Sequence, residues 1–151
     1  MEAESRIVRV FFYGTFMHPP VLAAHGVIGR DVLPARVAGF ELDIRPRVNL
    51  VSVRDACVYG SVVSVTHADL DKIYSGLEEK FGVRYLPEAI LAEGMQVPPR
   101  TEPALCYIAA QMTPSPPPPE YVRELAECVR LLKLPESYAR KIESFGSECT
   151  A

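Results

Sequence analysis

The sequence predicts an α+β chain, a small mixed β-barrel with flanking helices. Short β-branched and aromatic runs crowd the stretches 7–65 and 85–110. A single helical pattern lies between these two blocks, and two more follow a proline tract near the end. Strands in blocks, rather than in βαβ alternation, argue against a doubly wound parallel sheet. About six or seven strands around one core suggest a sheet curled on itself. At 151 residues the chain is expected to form a single domain, 1–151.

Each element follows from local pattern. Ile7 to Tyr13 is nearly all apolar, as a buried central strand is. Val21 to His25 fits one helical turn after Pro19 and Pro20. Ala35–Leu42, Val48–Val53 and Cys57–Val65 read as three further strands, with Gly60 marking a bulge or a close backbone approach. Thr66 caps a helix running to Phe81. Asp69 stands in its first turn, Leu70, Ile73 and Leu77 form its apolar face, and Gly82 stops it. Tyr85–Leu91 is the next strand, with Pro87 marking an edge or a bulge, and Ala104–Ala110 is the last. Thr113–Pro119 carries four consecutive prolines and reads as a stiff connector. Glu120–Lys133 is amphipathic through Val122, Leu125, Ala126, Val129 and Leu132. Pro135 opens a final short helix to Phe145.

Composition narrows the function classes. A net charge of −3 with scattered Lys and Arg gives no footprint for nucleic acid or an anionic membrane. No run approaches the roughly 18–20 apolar residues of a membrane span. The acidic MEAESRIVRV start does not read as a secretory signal. Cys57, Cys106, Cys128 and Cys149 form no Cys-x-x-Cys pair, so free thiols in a reducing, cytoplasmic setting are expected. His18, His25 and His67 lack metal-ligand spacing, so no metal is expected.

The first strand ends unusually. In "VFFYGTFM", Val10 to Met17, an apolar run is broken by Tyr13-Gly14-Thr15. A glycine there leaves room for a ligand beside the backbone, and the consecutive amides of Gly14, Thr15 and Phe16 form an anion-holding nest.

Four blocks together resemble the γ-glutamylcyclotransferase-like (AIG2-like) family. They are "FFYGTFM", "ARVAGFELD", "VYGSVVSVTHADLDKI" and the stretch from Cys106 to Phe145. The resemblance covers about Val8 to Phe145 and implies a cyclotransferase without cofactor. Its reaction turns a γ-glutamyl amine or peptide into 5-oxoproline and a free amine. It also implies a small-molecule γ-glutamyl substrate. A monomer or a homodimer is expected. The Tyr13-Gly14-Thr15-Phe16 loop would cradle the γ-glutamyl group, with Tyr85 and Tyr107 around it. Phe16 stands where the family carries Leu or Asn. Arg36 matches a family position but reads as a structural partner.

The proton carrier departs from the pattern. The family's Leu-Asp-x-x-Glu glutamate is absent after Leu70-Asp71, where Tyr74 stands instead. Counting back from Tyr85 places Glu78 as the expected acid/base, one helical turn beyond Tyr74, with Glu79 as the weaker candidate and Glu88 as an outside one. Two other readings stand beside the cyclotransferase. One is a γ-glutamyl or acyl-amide-cleaving enzyme of a specialised pathway. The other is a catalytically silent binding module that kept the nest and lost the proton carrier.

Overall fold

The computed structural model describes residues 6–148. Five strands form a closed barrel in the order β1–β3–β2–β4–β5. They are β1 (Ile7–Phe12), β2 (Arg30–Ile44), β3 (Val48–Thr66), β4 (Tyr85–Gly94) and β5 (Thr101–Ala109). Neighbours are antiparallel except β1 and β5, which close the barrel as a parallel pair through Val10–Leu105 and Phe11–Cys106. A 3-10 turn (Thr15–Met17) and α1 (Pro19–Ala24) follow β1. The remaining helices are α2 (His67–Phe81), α3 (Pro119–Leu131) and α4 (Glu136–Glu148).

The strand count is five rather than six or seven. The break expected between Val53 and Cys57 is a distortion within one 19-residue strand. Asp55 takes φ 68° there, and the ladder to β2 shifts register between Ala38 and Phe40, across Gly39 at φ 89°. Four residues of β3, 53–56, stand opposite Gly39 alone; such an excess on one side of a ladder bends a strand without ending it, and local composition reads that bend as a terminus. The edge character of Pro87 holds: there β4 pairs with β5 alone, because its pairing with β2 is confined to Glu93 and Gly94.

Local chemistry sets the helix ends. The Asp69 amide donates to Thr66 Oγ1 at 3.1 Å, satisfying one free donor of α2. Gly82 ends α2 at φ 70°, a left-handed conformation that glycine adopts without steric cost. Pro119 stands in the first turn of α3, where its missing N–H costs nothing. Tyr121, Val122, Leu125, Ala126, Cys128 and Val129 are buried along α3, and α4 packs Tyr138, Ala139 and Ile142 into the same core as the barrel. Burying one such side chain as large as Leu125 stabilises by roughly 1.5–3 kcal/mol.

Two contacts position the barrel mouth. At Gly60 a side chain would put Cβ 2.1 Å from the Phe12 carbonyl oxygen, so β1 crosses β3 with no side chain between them. The Asn49 side chain donates to the Ala109 carbonyl at 2.8 Å and accepts from the Ala109 amide at 2.9 Å, tying β3 to the end of β5. Among the described residues no helix is long and apolar enough to cross a membrane. Cys57, Cys106 and Cys128 are free thiols, and Cys149 lies outside the described residues.

Two glycines give opposite expectations. Gly60→Ala forces the β1 backbone aside and is expected to lower stability by about 1–3 kcal/mol. Gly76→Ala, within α2 and with no atom within 4 Å of the new methyl, is expected to raise it by roughly 0.5–1 kcal/mol. Urea unfolding of both variants checks the pair, and a neutral Gly60→Ala refutes the close-crossing argument.

Candidate active site

The polar break after β1 lies at the barrel rim. Tyr13 is 3% exposed, and its hydroxyl donates to the Tyr107 carbonyl at 2.6 Å, bridging the ends of β1 and β5. The chain then turns. Met17 N–H donates to Gly14 O at 3.0 Å and His18 N–H to Thr15 O at 3.1 Å, while the amides of Thr15 and Phe16 have no acceptor among the described residues. Gly14 itself is extended, at φ −102°, so the backbone angle does not require glycine. Space does: a Cβ would lie 2.8 Å from Val48 Cγ2 and 3.7 Å from the Tyr121 hydroxyl. The gap at Gly14 is therefore filled by the protein's own side chains rather than left open to a ligand.

Beneath this turn is a chamber of about 40 Å³, walled by tyrosines 13, 74, 85, 107 and 121 with Leu77 and Val48. That volume admits a few waters or one small polar group, well short of the several hundred Å³ of a ligand pocket. Tyr74 stacks on Tyr107 with ring centroids 4.1 Å apart and planes 10° apart, and it lies 5.7 Å from the Tyr85 ring. Tyr85 donates its hydroxyl to Val48 O at 2.5 Å. Two of the hydroxyls are thus ties to backbone carbonyls rather than free donors.

The chamber opens onto a vestibule of about 580 Å³. Thr15, Phe16, Arg47, Leu77 and Tyr121 line both. Phe16 packs edge-on to Phe12 and His25 at 6.1 and 5.1 Å, so its ring forms part of the neck. Lys72 and Lys80 face the vestibule from α2, Glu120 and Glu124 from α3.

The expected acids stand elsewhere. Glu78 and Glu79 are exposed, and neither lines the chamber or the vestibule. Glu78 borders a separate depression with Asp71, Ser75 and Arg84, which the chamber tyrosines Tyr74, Tyr85 and Tyr107 also line from their other side. On α2, Tyr74 and Leu77 face the chamber, and Glu78 lies about 100° around the axis from Leu77 but only about 40° from Tyr74, one turn further on, which sets it at the margin of that face. Glu88 is likewise exposed, on β4. Tyr85 and Tyr107 do line the chamber with Tyr13, Gly14, Thr15 and Phe16. Arg36 pairs with Glu93 at 2.8 Å across β2 and β4, away from both cavities.

Four residues escaped the sequence reading. Tyr121 lines the chamber rather than only packing between the last helices. Arg47, Glu120 and Glu124 reach the vestibule from a hairpin turn and a distant helix, with no local signal to mark them.

Comparison with known proteins bears on the fold. No family model and no curated protein matches the chain. Solved structures do. An uncharacterized protein from Homo sapiens superposes with a TM-score of 0.75 at 15% identity, over 91% of this chain and 87% of that one. A gamma-glutamyl cyclotransferase superposes with a TM-score of 0.75 at 16% identity, over 92% and 88%. The chain has the γ-glutamyl cyclotransferase-like fold. A yeast gamma-glutamyl cyclotransferase described as specific to glutathione superposes with a TM-score of 0.64 at 13% identity, over 95% and 96%.

The tyrosine cluster has a pH signature. All seven tyrosines are held above the ordinary phenol pKa, with burial the largest cause for each, and Tyr13 and Tyr74 lie well above it. A proton kept by the fold and lost by the unfolded chain gives stability that is full below pH about 10 and is lost as pH rises through the folded values. The urea midpoint is therefore expected to fall above pH about 10, less steeply in Tyr74→Phe. A midpoint unchanged from pH about 8 to 11 refutes this.

Proposed function

We propose that the chain is a cyclotransferase acting on a γ-glutamyl amine or peptide at the neck between chamber and vestibule. The observation that carries this reading is the pair of unpaired amides, Thr15 and Phe16, on a turn that walls both cavities in a γ-glutamyl cyclotransferase-like fold. The chamber is too small for a whole substrate, so only the reacting amide enters it and the leaving group lies in the vestibule.

The chemistry follows from those placements. The substrate's α-nitrogen attacks its own γ-carbonyl carbon and a ring C–N bond forms. The developing oxyanion takes hydrogen bonds from the Thr15 and Phe16 amides. The bond to the leaving nitrogen then breaks, giving 5-oxoproline and an amine. The α-ammonium loses a proton first and the leaving nitrogen gains one, so a single carboxylate serves both steps. Glu124 is the proposed carrier. It lines the vestibule, and its charge reaches Tyr121 and Cys128, whose Sγ lies 3.9 Å from Thr15 O. The same pocket also suits a γ-glutamyl or acyl-amide-cleaving enzyme of a specialised pathway.

One observation favours a second reading. The α2 face toward the chamber presents Tyr74 and Leu77, and none of the chamber's lining residues is an acid. A chamber without a base suits a binding module that holds such a ligand without turning it over.

Release of 5-oxoproline and amine from a panel of γ-glutamyl amines and dipeptides separates the two. Glu124→Gln is expected to lower turnover by roughly 10²- to 10⁴-fold with binding retained, and Glu78→Gln and Glu79→Gln to stay near wild type. Full activity in Glu124→Gln moves the role to another group. A wild type that binds several members of the panel and cleaves none establishes the module.

A further inference from the structure

Arg47 is the charged residue shared by chamber and vestibule, and the proposed reaction does not use its chemistry. It belongs to the turn between β2 and β3 and lines both the chamber and the vestibule. Its Cζ lies 4.2 Å from the Phe81 ring centroid and 4.1 Å from that of Tyr121. The guanidinium is therefore held between the end of α2 and the start of α3. Two rings that take it through their π faces fix its position and supply no hydrogen-bond acceptor.

Its donors are unused. Arg9, Arg36, Arg45, Arg130 and Arg140 each meet a carboxylate within 3.5 Å. Arg47 makes no ion pair and no side-chain hydrogen bond among the described residues, although Glu120 and Glu124 line the same vestibule. Its charge nevertheless reaches inward, opposing the upward push that burial exerts on the Tyr85 and Tyr121 phenols. A rigid, half-buried guanidinium with an empty donor edge, set where a small chamber meets a large one, is built to take a planar anion by two parallel hydrogen bonds.

We propose that Arg47 is the carboxylate-recognition residue of this site and confines it to ligands that bear a carboxylate close to the group seated in the chamber. Resting on the reading above, this places a γ-glutamyl ligand's α-carboxylate on Arg47 and its γ-carbonyl oxygen on the Thr15 and Phe16 amides. The two anchors hold the ends of a five-atom span folded toward ring closure, which is the orientation the reaction needs. Neutral amides of similar size would lack the first anchor.

Calorimetry with 5-oxoproline and with 2-pyrrolidinone, the same lactam without its carboxylate, tests this. The wild type is expected to prefer 5-oxoproline by about 10- to 100-fold, the scale of a charge-assisted pair. Arg47→Met keeps the apolar stem between the rings and is expected to abolish that preference, leaving 2-pyrrolidinone binding unchanged. Arg47→Lys keeps the charge without the fork and should retain only part of the preference. It also serves if the Met variant does not fold. A wild type that does not discriminate the two lactams, that binds neither, or whose preference survives Arg47→Met overturns the role of Arg47. Turnover of the γ-glutamyl panel judges the cyclotransferase reading separately. Turnover without discrimination removes Arg47 and leaves the reaction, whereas discrimination without turnover keeps Arg47 on a binding module.

Discussion

The close crossing of β1 and β3 at Gly60 is the constraint on which the mouth of this protein depends. With no side chain at that point, the Phe12 backbone comes into contact with β3. A strand held that close on one side reaches β5 on the other, and the parallel β1–β5 pair closes the barrel. Closure brings Tyr13 to the Tyr107 carbonyl and delivers the next residues to the rim as a turn with free amides.

Closure also explains the division of labour between the two cavities. Inside, the wall is tyrosine and aliphatic. Burial keeps these phenols neutral across the ordinary pH range, and those of Tyr13 and Tyr85 are occupied by backbone carbonyls. Such a wall shapes and dries a small space but moves no proton. Outside, charges of both signs collect: Lys72 and Lys80 on α2, Glu120 and Glu124 on α3, and Arg47 between the helices. The neck therefore joins an uncharged, tyrosine-lined interior to an entrance that carries both signs of charge.

The wall of α2 separates what local sequence sets from what packing sets. The helix is capped, terminated and packed as its sequence dictates, through Thr66, Leu70, Ile73 and Gly82. Which side chains it shows to the chamber is a separate matter of phase. Tyr74 and Leu77 occupy that face, and Tyr74 gains a stacked partner in Tyr107. From the facing side α3 brings two carboxylates, Glu120 and Glu124, to the vestibule.

By itself the sequence determined the class and order of elements, because period, caps and breakers act over a few residues. The helix from Thr66 to Gly82, the edge at Pro87, the proline connector and the amphipathic α3 were all legible, and the Tyr13–Phe16 turn stood out as a polar break in a strand. Tertiary structure decided what no local window contains. A register shift made one bent strand of what read as two. The phase of α2 against the barrel set Leu77 in the chamber wall and Glu78 in the adjoining depression. The hairpin turn and α3 brought Arg47, Tyr121 and Glu124 to residues more than thirty positions away. The physical reason is that local pattern records which face of an element is apolar, whereas a site is made where faces of distant elements meet, and only the closed barrel sets that meeting.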